Sequence, residues 1–402
     1  MRILFLSIEY PPESPDGIGS YVFEIAHALA HRGHEVHVLS CIPGQVERDY
    51  RDGQVFLHRR GEARTGTTLS AVGDTDSRPM GRLSLTRTIL RHALTCWQET
   101  RALGLDFDVI ETPDWMAEGL LFALRRQPVV AHMHTPIRVI SRFNGSATGT
   151  DIRVAARLEW LTVAAARSVT SPSRLLVQTL RDDGLLRRRD VAIIRYPINI
   201  ERWHDIVPMA ATAPVAFFAG RLERLKGPEV LIDAMALVAR RCPEAEAWLA
   251  GDSTERPDGR SYREWLADRI ARSNAPCRLL GHVSRDEIRH LCASARVVVV
   301  PSRYDNLPYA GLEGLAAGRP VVCTTATGLT EMMRGSKAGA IVEPDDAVGL
   351  ADALGPYFSD LDAAIQAGNE ARDLAARLCS PDSIAQQREH IYATAMGRKH
   401  RE

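Results

Sequence analysis

This 402-residue chain has no excess of charge of either sign: 50 Lys and Arg are balanced by 50 Asp and Glu. A polyanion such as nucleic acid is therefore not expected as its main partner, and any phosphate has to be held by a local group of residues. The seven cysteines, at 41, 96, 242, 277, 292, 323 and 379, form no CxxC and no metal-like spacing. That argues against a disulfide framework and points to reduced, buried thiols in a cytoplasmic protein. No run approaches the ~20 apolar residues of a membrane span. The ILFLSI after Arg2 is shorter than the apolar core of a signal peptide and reads as a first strand. His27, His31, His34 and His37 are not spaced as a metal cage, so no metal is assigned. Internal repeats and low-complexity tracts are also missing.

What is present is an alternation of short apolar runs and longer amphipathic segments. The runs predict strands at Ile3 to Ile8, Val36 to Ser40, Val55 to His58, Phe107 to Glu111, Val129 to His134, Ser168 to Ser171 and Val191 to Tyr196. A second series follows at Val215 to Ala219, Ala245 to Ala250, Cys277 to Leu280, Val297 to Val300, Pro320 to Thr324 and Gly339 to Val342. Near-continuous apolar strands separated by helices indicate an α/β protein with parallel sheets covered on both faces. The length exceeds an ordinary single core, so two Rossmann-like domains are expected, over 1–200 and 206–378. The aperiodic stretch from Pro197 to Pro214 joins them, and a closing helix over 379–402 crosses back to the first domain. The Gly/Ser/Thr-rich residues 60 to 82 read as a loop.

The densest signal is VVVVPSRYDNLPYAGLEGLAAGRPVV, residues 297 to 322. It offers Asp305 after a strand and Glu313 on a helix, with Asn306 as a plausible N-cap, Pro308 in the first turn and Gly318 past the end. For a helix starting at Asp305 the two carboxylates would stand roughly 12 Å apart. The carboxyl pairs of glycosidases are roughly 5 to 9.5 Å apart, so this pair suits the two ends of an elongated ligand better than one scissile bond. In VAFFAGRLERLKGPEV, Arg221 and Lys226 follow a strand's carboxyl end, where open α/β sheets bind ligands. GRLERLKG lacks the glycine before lysine and the hydroxyl after it that a P-loop needs. Near the start, Gly17 and Gly19 precede a helix, but Val22 stands where GxGxxG requires a small residue, which disfavours a nicotinamide site. His134 ends the run VVAHMHTP, whereas His132 reads as a core histidine. The basic stretches Arg82 to Arg101 and Arg187 to Arg189 read as solvated faces, with peripheral membrane contact the alternative.

DGIGSYV, HT at 134 to 135, GRLERLKG, GHVSRDEIRHLCASARVVVVPS at 281 to 302 and DNLPYAGLEGLAAGRPVV at 305 to 322 occur in this order. As an ordered set they resemble the retaining, nucleotide-sugar-dependent glycosyltransferases of family four, over essentially the whole chain. The resemblance implies the GT-B fold, two Rossmann-like domains facing across a cleft, with no cofactor. It implies transfer of a hexose from a UDP- or GDP-sugar to a hydroxyl acceptor, which is a sugar, a lipid-linked or a small molecule. By the same resemblance Arg221 and Lys226 hold the donor diphosphate, Glu313 the ribose, and Asp305 the sugar hydroxyls. Asn306 and Leu307 contact that sugar, His282 and Val283 the base, Gly17 and Gly19 the diphosphate, and His134 the sugar from the first domain. The chain departs from the family pattern twice: Asp305 stands where a glutamate is usual, and Asp16 where a first glycine is frequent. A nucleotide-sugar epimerase or phosphorylase of the same fold, or a non-catalytic nucleotide-sugar binding protein, is the alternative.

Overall fold

The computed structural model describes residues 1–12, 17–43, 47–62, 83–144, 149–186, 189–203, 207–252 and 260–397. Asp16, most of the loop expected at 60 to 82, and Arg187 and Arg188 lie outside them. The chain divides into two compact units. One holds the described residues through Pro197 together with those from Pro381 onward, and the other is Ile198–Ser380.

In the first unit the strands are β1 (Arg2–Leu6), β2 (Glu35–Pro43), β3 (Arg48–Asp52), β4 (Val55–Glu62), β5 (Val109–Pro113), β6 (Val129–His132), β7 (Ser168–Ser171) and β8 (Ala192–Ile193). They form one sheet in the order β3-β4-β2-β1-β5-β6-β7-β8, parallel except for the β3–β4 pair. Its helices are α1 (Gly17–His31), α2 (Ser84–Ala102), α3 (Leu120–Leu124), α4 (Ile137–Asn144), α5 (Thr150–Ala165) and α6 (Arg174–Asp182). Strand β3 was not expected: RDYRD is polar throughout, and it pairs antiparallel at the sheet edge with its side chains mostly in solvent.

The second unit has β9 (Val215–Ala219), β10 (Glu246–Ala250), β11 (Cys277–Gly281), β12 (Val297–Val300), β13 (Val321–Thr324) and β14 (Gly339–Val342). Its helices are α7 (Pro228–Val238), α8 (Tyr262–Ser273), α9 (Arg285–Ser294), α10 (Tyr309–Ala316), α11 (Leu329–Met333), α12 (Ala347–Ser359) and α13 (Leu361–Cys379). The sheet is wholly parallel in the order β11-β10-β9-β12-β13-β14. Counted from its own first strand this is 3-2-1-4-5-6, the doubly wound order, whose direction of winding reverses between β9 and β12. The first unit reverses in the same way between β1 and β5. Helix α14 (Pro381–Ala395) belongs to the first unit and packs on α1, β6 and β7.

Strands covered on both faces explain the apolar runs: Val297, Val298, Val299, Val321 and Val322 are all at most 1% exposed. With Val297, Val299 and Val322, α7 packs Leu231, Ala234, Met235 and Val238, the stripe visible in its sequence, into one core. Among the described residues no helix is long and apolar enough to cross a membrane. Leu231 is fully buried in this core, so Leu231→Ala should destabilise the second unit by about 2–5 kcal/mol. A chemical denaturation curve resolving the two units would show it, with the transition of the first unit unmoved.

Candidate active site

Arg221, Lys226 and Asp305 leave the carboxyl ends of β9 and β12, the two strands that flank the reversal point of the second sheet. A short 3-10 turn, Arg224–Lys226, ends in Gly227, which has a left-handed φ of 65°. A Cβ there would run into the carbonyl oxygen of Pro301, so only glycine lets this turn lie against the loop after β12. Lys226 Nζ donates to Asp305 Oδ2 at 2.6 Å, with side chains only 21% and 11% exposed. Arg221, half exposed, reaches Glu223 at 2.9 Å.

Arg303 holds this turn in place. Its backbone amide donates to Leu225 O at 2.9 Å and its guanidinium to Arg224 O. The same guanidinium is fixed by Glu229 at 2.7 Å and Asp345 at 2.5 Å, and Tyr262 donates to the other oxygen of Glu229. Sequence reading passed over Arg303. An arginine next to a strand's carboxyl end, two residues before Asp305, was the available signal.

Asp305 is not helical. Its amide donates to Ala326 O and its carbonyl accepts from Gly328 N, a bridge alongside Thr327. Helix α10 starts at Tyr309 with Pro308 as N-cap, not Asn306. The expectation of an N-cap at Asn306 fails because it would make Leu307 helical, and Pro308 disfavours the helical conformation in the residue before it. Glu313 lies in the second turn of α10, half-buried, and its charge helps burial to push the Cys292 thiol upward. Asn306 and Leu307 are buried between β12 and α10. His282 and Val283 follow β11 just before the Ser284/Glu287 capping box of α9, His282 exposed.

In the first unit Gly19 lies in the first turn of α1, where its amide donates to Glu9 Oε2 at 3.2 Å. Gly17, the first residue of that helix, is exposed. His134 lies in the loop between β6 and α4. Its amide donates to Asp114 Oδ1 at 2.9 Å, and its Nδ1 is 2.6 Å from the Tyr196 hydroxyl. The far end of the same loop is held by Glu159, whose carboxylate accepts from Ile137 N at 2.9 Å and from Met116 N at 3.3 Å.

Two family models match the chain: "Glycosyltransferase Family 4" over residues 15–202 and "Glycosyl transferases group 1" over residues 213–360. The chain is a family 4, group 1 glycosyltransferase. A glycogen synthase of Mycobacterium tuberculosis is 28% identical over 92% of this chain and 89% of its own. Among solved structures, the sucrose-phosphate synthase of Thermosynechococcus elongatus superposes with a TM-score of 0.78 at 20% identity, covering 99% of this chain and 100% of its own. The Anabaena protein HepE, solved with UDP and glucose, gives 0.69 at 20% identity over 97% and 98%. These likenesses identify the fold of the glycosyltransferase as GT-B.

Burial in the first unit has an electrostatic consequence for this glycosyltransferase. The Asp114 carboxyl, wholly enclosed, is pushed up to about 7 by loss of hydration, against the backbone amides that favour its charge. Its ordinary value is ~3.9. Between those values the folded chain keeps a proton that the unfolded chain releases, so stability falls as pH rises through this window. The stability of the wild type minus that of Asp114→Asn should therefore fall, by up to ~1.4 kcal/mol per pH unit, between pH 4 and 7. Denaturant midpoints at several pH values measure it; a difference independent of pH would refute it.

Proposed function

We propose that the protein moves a hexose from a UDP- or GDP-sugar to a hydroxyl acceptor, with retention of anomeric configuration and without a metal. The observation that carries this reading is the 2.6 Å contact of Lys226 with Asp305 at the reversal point of a doubly wound sheet. A cation for the diphosphate and a carboxylate for the sugar hydroxyls meet there, so the bond between sugar and phosphate would lie where they touch. Cleaving that bond gathers negative charge on the diphosphate, which fixed cations offset as it develops. Lys226 and Arg221 take that role. Glu313, half-buried on α10, suits the paired hydroxyls of a ribose, and the exposed loop at His282 and Val283 suits the base. Asn306 and Leu307 offer backbone groups to the hexose, and His134 a ring nitrogen. Gly17 and Gly19 open a helix whose N-terminus favours phosphate.

The relatives support a nucleotide-sugar donor: HepE was solved with UDP and glucose, and the other two are a glycogen synthase and a sucrose-phosphate synthase by name. Those two names imply different acceptors. The acceptor here is accordingly read only as a hydroxyl of a sugar, a lipid-linked or a small molecule.

A thermal-shift screen of nucleoside diphosphates and their sugars tests the donor, since ligand at 100 times its dissociation constant adds about 2.7 kcal/mol. The expected result is stabilisation by a UDP or GDP compound, with nucleotide released only when acceptor is added and chelator without effect. Lys226→Ala should lose at least ~10-fold in transfer, because a charge-assisted bond is worth about 1.5–3 kcal/mol. Near-normal turnover by that variant would sink the reading. Binding without release, whatever the acceptor, would favour the non-catalytic alternative, and interconversion of the donor sugar the epimerase.

A further inference from the structure

Next to His134 in the first unit lies a set of buried polar side chains that the reaction above does not use. Arg388 of α14 is completely buried. Its Nη1 donates to Thr170 Oγ1 at 2.7 Å and to Glu111 Oε2 at 3.3 Å, and its Nη2 lies 2.8 Å from His132 Nδ1. Glu111 also accepts from the hydroxyls of Tyr392, at 2.6 Å, and Tyr21. The guanidinium sits 5.2 Å over the Tyr21 ring, which in turn packs at 4.5 Å on His132, 5.3 Å on His134 and 5.2 Å on Tyr196. His132 stands edge-on to His134 at 4.9 Å. Cation, carboxylate and five rings thus form one enclosed cluster.

The hydrogen bond from Arg388 decides how the His132 proton is placed. A guanidinium only donates, so His132 Nδ1 accepts, and that ring is neutral with its proton on Nε2. On His134, the Tyr196 hydroxyl 2.6 Å from Nδ1 can donate or accept, and where it donates the proton sits on Nε2. We propose that Arg388 is a positioning residue for His134: through His132 and Tyr21 it adds to burial in holding the His134 ring neutral, as the tautomer with an Nε2–H for the donor sugar. This rests on the reading of His134 as a sugar contact.

The groups facing His134 are Tyr21 from α1, His132 from β6, Asp114 at its backbone amide, Tyr196 after β8 and, through the cluster, Arg388 from α14. Glu111 and Tyr392 face Arg388. Burial raises both Tyr21 and Tyr392, so they stay neutral. Arg388 and Glu111 are then the charged members, joined by Asp114 above its value of about 7. Burial first and Arg388 second push His134 down to about 3, and the same two causes lower His132.

The test follows the ring resonances of His132 and His134 in the full chain labelled with 15N-histidine, from pH 3 to 8. In the wild type both rings should be neutral above pH 5, with His132 protonated on Nε2; a proton on His132 Nδ1 would overturn the proposal with no variant needed. In Arg388→Gln, and in Arg388→Gln combined with Glu111→Gln to avoid stranding a buried carboxylate, the His134 midpoint should rise by about one pH unit or more. The acid limit of transfer should rise with it, while Arg388→Lys keeps the wild-type profile. A folded variant without Arg388 whose His134 midpoint stays at the wild-type value overturns the proposal. If Lys226→Ala transfers normally, the donor reading falls, yet the His134 titration still decides the role of Arg388.

Discussion

Lys226 and Asp305 are 79 residues apart in the chain and 2.6 Å apart in space, and most of the second unit can be understood as what that contact requires. Two loops meet only if their strands are neighbours, and β9 and β12 are neighbours because the sheet reverses its winding there. Helices that cover the two faces diverge at that point, which leaves the carboxyl ends of the two strands uncovered. The loops must also approach closely, hence a glycine at 227 and the backbone pairing of Arg303 with Leu225. Burial raises the stakes of the pair: removing either partner strands a charge in a place with little water.

The first unit meets a related difficulty with a different device. In the segments after β1, β5 and β6 the ladder runs out: beyond Ser7 N on Leu39 O and Met133 N on Thr170 O the amides need other partners, and unpaired buried amides are costly. Carboxylates take the place of ladder carbonyls. Glu118 accepts from Ile8 N, Glu9 from Gly19 N, Asp114 from His134 N, and Glu159 from both Met116 N and Ile137 N. Several of these carboxylates are fully buried, and the cost of that burial appears as raised proton affinity at Asp114 and Glu159. The loop that carries His134 therefore depends on two acids that favour a proton, and its geometry is tied to pH in a way that a wholly backbone-paired loop would not be.

The parts of this arrangement legible in sequence were those with a local cause. Runs such as VVVV and VVCT mark β12 and β13 because strands buried on both faces exclude polar side chains. Charge and spacing singled out Lys226, Arg221 and His134 at strand ends. What escaped was set by distant partners. RDYRD gains its strand from pairing with β4 rather than from its own pattern, and Arg388 meets Glu111 across 277 residues. The misplaced start of α10 is a case between the two. Proline in the first turn is compatible with an earlier helix, but its constraint on the preceding residue is not, and that local rule was the stronger one.

The aspartate at 305 is one methylene shorter than a glutamate and has its backbone pinned by the bridge at Thr327. A longer side chain on a free loop could serve a sugar and a cation in turn by swinging between them. Asp305 has little such reach, and in this state its Oδ2 is committed to Lys226. A neutral sugar arriving alone would compete with an ammonium for that oxygen and lose, since charge-assisted bonds are roughly twice as strong as neutral ones. On the proposed reading a diphosphate would change the balance, because it would give Lys226 a second anion and let the carboxylate turn its lone pairs to hydroxyls. The pair would then couple recognition of the sugar to recognition of the phosphate: the two ends of a donor would be bound together or not at all.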